Sequence, residues 1–160
     1  MRTIFQIGKR VKDKGFTFVE LLIVTLIIVV LSSLAVPRFR TSFERFKLKT
    51  IGKQFVEMAK ASHELSVLEE KIYRIVIVRE PLSFGMEVES PDKESFEPVS
   101  GGAGRVRKLP QDFRMEFDDA SIYFYEDGSV TGSEVVFSNG LGDRKRYKIS
   151  VNGQILESSY

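Results

Sequence analysis

From Phe16 to Val36 the chain reads FTFVELLIVTLIIVVLSSLAV, 21 residues in which Glu20 is the one charged side chain. As a helix such a run rises about 31 Å, close to the roughly 30 Å hydrocarbon core of a bilayer. A secretory signal has a shorter apolar part, about 7 to 15 residues, and is cut after it. The residues before the run are basic: Arg2, Lys9, Arg10, Lys12 and Lys14 stand against Asp13 alone, and an excess of Lys and Arg keeps a flank cytoplasmic. A plain membrane anchor accounts for neither Gly15, set between the basic and apolar parts, nor Glu20 inside the apolar part. A carboxylate near the centre of a membrane helix costs about 2.5 to 3.5 kcal/mol, less near its end, so Glu20 is read as a functional group with a charged partner.

The remaining residues bound what else the chain can be. With 160 residues there is room for one ordinary domain beside the apolar segment. The chain has no cysteine and a single histidine, His63, which rules out disulfides, thiolate or His-cluster metal sites and a Cys nucleophile. Its 24 basic and 22 acidic side chains leave a net charge of +2, too little to imply a polyanionic partner by itself.

Beyond Pro37 a helical pattern resumes. Phe39, Phe43, Phe46, Ile51, Phe55, Met58, Ser62, Leu65, Leu68 and Ile72 are expected on one face, with Arg40, Lys49, Lys53, Lys60 and Glu64 among those opposite. One long helix from 16 to about 70 is expected, bent near Ser33 to Pro37 because proline removes a backbone hydrogen bond, with Gly52 a second soft point. The period then changes to two, with short strands at 73–78, 84–88, 113–117, 121–125, 134–137, 146–151 and 154–156. Glu126–Gly128, Asn139–Asp143 and Asn152-Gly153 read as turns of a largely hairpin-linked antiparallel sheet, and 89–108 as a loop. The fold class is therefore α+β. Its parts are a leader at 1–15, a membrane or filament-core helix at 16–36, an amphipathic helix at 37–70 and a β-sheet domain at 71–160.

The stretch Lys14-Gly15-Phe16-Thr17-Phe18-Val19-Glu20-Leu21-Leu22-Ile23-Val24 resembles the processing signal of type IV prepilins and type II secretion pseudopilins. The resemblance implies cleavage by a prepilin peptidase between Gly15 and Phe16 and N-methylation of Phe16. It implies assembly roles for Glu20 and Pro37, the fifth and twenty-second residues after the cut, and a filament of other pilins or pseudopilins as partner. The ending, Ile122–Gly128, Gly132–Phe137, Arg146–Val151 and Asn152–Ile155, resembles the GspH/FimT group of minor subunits. That likeness implies a minor pseudopilin in the inner membrane, with its N-terminus cytoplasmic and its C-terminal domain periplasmic, later moving into the pseudopilus to serve protein export; the alternative is a FimT-like minor type IV pilin in pilus biogenesis or DNA uptake. It implies no enzymatic activity and no cofactor.

DNA is a second candidate partner. Arg105, Arg107, Lys108, Arg144, Lys145, Arg146 and Lys148 stand near aromatics such as Tyr147, and some FimT-like minor pilins take up DNA; the alternative is a solvated hairpin tip. Other signals carry less. Ser100–Gly104 lacks the Lys-Ser or Lys-Thr of a phosphate loop, Asp118, Asp119, Glu126 and Asp127 lack a calcium-loop pattern, and His63 sits in a helical pattern.

Overall fold

The computed structural model describes residues 15–159, apart from the side chains at 34–38 and 159. The leader residues 1–14 and the side chain of Pro37 thus lie outside the described residues. One α-helix, α1, runs from Phe18 to Glu69, and its backbone stays helical through Pro37. The chain divides into two units between Phe39 and Arg40. Within the first, Thr17 caps the helix: its Oγ1 accepts the backbone N–H of Glu20 at 3.2 Å. Thr25 and Ser33 donate their hydroxyls back to the carbonyls of Leu21 and Val30, so these hydroxyls keep partners inside the apolar stretch.

The second unit holds the core. α1 ends where Glu70 takes the left-handed conformation, φ 51°, and Lys71 N–H reaches back to Ser66 O at 3.2 Å, a Schellman-type stop built without glycine. The strands form two antiparallel sheets. The first has the order β3-β2-β1-β6, with β1 Tyr73–Arg79, β2 Leu82–Glu89, β3 Phe96–Pro98 and β6 Ser121–Phe124; β4, Arg107–Lys108, also pairs with β2. The second has the order β5-β7-β8-β9, with β5 Arg114–Phe117, β7 Ser133–Ser138, β8 Arg144–Ile149 and β9 Ile155–Ser159. In the first sheet Ile75 stands opposite Met86 and Ile122; in the second Val135 stands opposite Tyr147 and Phe117.

Three expectations need correcting. The sheet is two sheets: the turn at Glu126–Gly128 closes as a hairpin for one bridge, Phe124 with Val130, and the chain then passes to the second sheet. The segment 89–108 contains β3, a 3-10 turn at Gly102–Gly104 and β4, which are too short to show a period in sequence. The expected helix face is buried only over its middle: Phe55, Met58 and Ser62 are buried and Ile51 and Leu65 pack against the core, but its ends are not. Leu48, Phe55, Met58 and Ala59 are in the core, whereas Phe39, Phe43, Phe46 and Leu68 are exposed. Phe46 lies nine residues before Phe55, which at 100° per residue places it on the opposite side.

Phe55 is the centre of the packing. Its ring lies 5.6 Å from Phe84 of the first sheet and 5.5 Å from Phe137 of the second, both edge-on, and Tyr147 closes the cluster at 5.9 Å from Phe137. Gly52 admits this arrangement: a Cβ there would stand 2.0 Å from the Tyr147 hydroxyl oxygen. Every buried core residue, from Leu48 to Ile149, belongs to the second unit, so residues 40–160 carry their own core.

Candidate functional site

The head of α1 gathers the residues that the sequence singled out. Gly15 and Phe16 lie just before the helix, with Phe16 exposed and open space around Gly15. Glu20 falls in the first helical turn, where a carboxylate also complements the partial positive charge of the helix N-terminus. From Phe16 to Leu31 every large apolar side chain is exposed, from 46% at Val24 to 80% at Phe18. An apolar surface of that extent all round a helix has to be covered by lipid or by other helices. Among the described residues no helix is long and apolar enough to cross a membrane. Within the apolar run the described side chains end at Ser33, about 22 Å of rise from Phe18, while the sequence continues apolar to Val36.

The capping role of Thr17 was missed in sequence, although its signal, a threonine at the start of an apolar run, is present.

The basic candidates do not form one patch. Arg105, Arg107 and Lys108 lie in and before β4 of the first sheet, and Arg107 donates to the carbonyls of Arg105 at 3.1 Å and Gly102 at 3.3 Å, bracing the 3-10 turn. Arg144, Lys145, Arg146 and Lys148 lie along β8, inside the second sheet and not at a hairpin tip. Three of them face carboxylates: Arg144 with Glu116 at 3.8 Å, Arg146 with Glu134 at 3.2 Å, and Lys145 with Glu157. Exposed pairs of this kind add little stability, about 0 to 1 kcal/mol, but they lower the positive field available to a phosphate.

His63 turns out to fasten the helix to two turns. Its Nε2–H donates to Gly128 O at 2.9 Å, and a Cβ at Gly153 would lie 2.6 Å from the same nitrogen. Asp127 is engaged in its own turn: it accepts the Ser129 N–H at 2.9 Å, and bonding from Ser129 holds its carboxyl below the usual range. Among the described residues no group of three or more His, Asp or Glu side chains is placed to hold a metal ion.

With this geometry described, comparison with known proteins places the chain in a class. Residues 10–36 match the family described as the prokaryotic N-terminal methylation motif. The fold resembles the minor pseudopilin EpsH from the type 2 secretion system of Vibrio cholerae in two structures. One has TM-score 0.62 and 12% identity over 71% of this chain and 97% of that one. The other has TM-score 0.60 and 11% identity over 69% and 92%. It also resembles the type IV minor pilin FimU of Pseudomonas aeruginosa, with TM-score 0.53 and 12% identity over 72% and 90%. Compared by sequence with curated proteins, the chain has no match. The protein is pilin-like in fold: an N-terminal methylation motif heads a long helix, and the fold resembles those of the minor pseudopilin EpsH and the minor pilin FimU.

Proposed function

We propose that the chain is a minor pseudopilin, a low-copy subunit of the pseudopilus of a type II secretion system, which supports filament assembly and protein export across the outer membrane. In this reading a prepilin peptidase removes residues 1–15 and Phe16 is N-methylated. The helix is first held in the inner membrane with its N-terminus cytoplasmic, and the domain beyond it lies in the periplasm. The role is structural, without catalysis or a cofactor.

The observation that carries the reading is the apolar surface all round α1 with Glu20 in its first turn. Cutting after Gly15 leaves the Thr17 cap in place and puts a new ammonium group one helical turn from Glu20. In a filament the carboxylate of one subunit pairs with the amine of its neighbour, and a slipped subunit leaves both charges unpaired in an apolar core. Pro37 gives the helix a place to yield on extraction from the bilayer. The likeness in fold to EpsH supports the secretion-system reading, and the likeness to FimU supports the alternative of a minor pilin. The pairing along β8 speaks against DNA as the partner.

The test uses Glu20→Ala and Glu20→Gln. Glutamine keeps the size and hydrogen-bonding groups of the side chain without its charge, and the Thr17 cap, which takes the backbone N–H, is kept in both variants, so the pair isolates charge. Both variants should fractionate with the membrane and both should be depleted from filaments. Normal incorporation of Glu20→Gln would rule out charge pairing as the assembly device.

A further inference from the structure

Just past the apolar part of α1, within the second unit, the helix presents a face that the core does not use. Phe43 and Phe46 are 58% and 64% exposed, on the side opposite Leu48 and Phe55, and Lys49 and Lys53 flank them on the same side. From Arg40 to Lys53 the helix carries Arg40, Arg45, Lys47, Lys49 and Lys53 against the single acid Glu44. Part of this charge is engaged: Lys47 with Glu44 at 2.9 Å, Arg45 with Asp143 at 3.3 Å, and Lys53 with Glu57 at 3.6 Å. Arg40 and Lys49 make no ion pair among the described residues. The Lys47 ammonium also lies 4.6 Å from the centre of the Phe43 ring, so charge and aromatic surface form one patch.

We infer that this face docks on an anionic phospholipid bilayer. Aromatic rings that insert at headgroup depth, with long basic stems reaching the phosphates beside them, make up an interfacial helix. The patch continues the apolar run of the same helix, and once residues 1–15 are removed it is the basic collar that remains beside that run. A second copy of this face is a poor occupant, because Arg40 and Lys49, which make no ion pair among the described residues, would meet like charges. On an upright helix Phe43 and Phe46 would stand about 10 and 15 Å beyond Val36, past a headgroup layer of about 5 to 7 Å. Docking therefore lays residues 40–53 along the surface, with Pro37 as the place to bend. The surface would hold the subunit beside the membrane until filament growth draws it off. This step rests on the membrane reading of α1 under Proposed function, but its test is independent of Glu20.

The experiment is sedimentation of the fragment 40–160 with vesicles of phosphatidylcholine alone and of phosphatidylcholine mixed with phosphatidylglycerol. Binding to the mixed vesicles should be at least about tenfold tighter and should be lost at high salt. Phe43→Ser with Phe46→Ser should abolish it, and Lys49→Glu with Lys53→Glu should remove the preference for the anionic lipid. Circular dichroism checks that both double variants fold; if one does not, the lipid and salt dependence of the unaltered fragment decides. No binding to anionic vesicles at low salt overturns the inference, as does binding that neither variant weakens. A fragment that instead self-associates through these residues without touching vesicles assigns the face to a second copy and also overturns it.

Discussion

Thr17 acts before any neighbour is present, because its hydroxyl takes the backbone N–H of residue 20 and caps the helix that starts at Phe18, while the Glu20 carboxylate is left for another partner. The glutamate was legible as a charge out of place in an apolar run. Gly52 was legible only as a soft point, because the Tyr147 hydroxyl that occupies its missing side chain comes from β8, far along the chain. Gly52→Ala should lower the stability of the 40–160 fragment by about 1 to 3 kcal/mol, since the buried Tyr147 ring cannot swing aside. An unchanged urea midpoint would show that the contact relaxes freely. Tyr73 offers a test by pH. Burial, then the hydrogen bond its hydroxyl donates to Glu69 at 2.9 Å, push its pKa up to about 12. The unfolded phenol ionises near pH 10, so the stability it contributes is complete below about pH 10 and is lost as pH rises through about 12. Urea midpoints from neutral to strongly alkaline pH should fall over that window and fall less in Tyr73→Phe.

At the scale of elements, the stop of α1 is the clearest local compromise. A non-glycine residue in the left-handed region costs about 1 to 2 kcal/mol, and Glu70 occupies it at φ 51°. Glu70→Gly should therefore stabilise the fragment, by about 0.5 to 1 kcal/mol after the extra freedom of the unfolded glycine is set against the relief. A drop in melting temperature would mean that the Glu70 side chain holds something that glycine cannot. The strands other than β3 and β4 were legible from their period, and the Asn139 and Asn152 turns from their residues. The break into two sheets was not, because nothing in Glu126–Gly128 differs from an ordinary hairpin turn until β6 pairs with β1. On β8 the bases were visible, while their carboxylate partners, Glu116, Glu134 and Glu157, come from three other strands. The 40–160 fragment should accordingly give no salt-sensitive gel shift with double-stranded DNA; a shift at low salt that modest salt abolishes would reopen that reading.

Over the whole molecule the division of labour follows the two units. Phe39, Phe43 and Phe46 showed helical spacing, yet spacing alone does not say which face meets the core, and the face chosen is that of Leu48, Gly52 and Phe55. The second unit is a closed structure held by Phe55 between Phe84 and Phe137, whereas the first exposes its apolar side chains and is complete only against lipid or other helices. Everything proposed about assembly depends on one event near the N-terminus, in the first unit. The chain isolated from cells with an active prepilin peptidase should show, by mass spectrometry, an N-terminus at Phe16 carrying one added methyl group. Gly15→Val should stay at the precursor mass. A mature chain that keeps Met1, or one cut at another bond, would contradict the account.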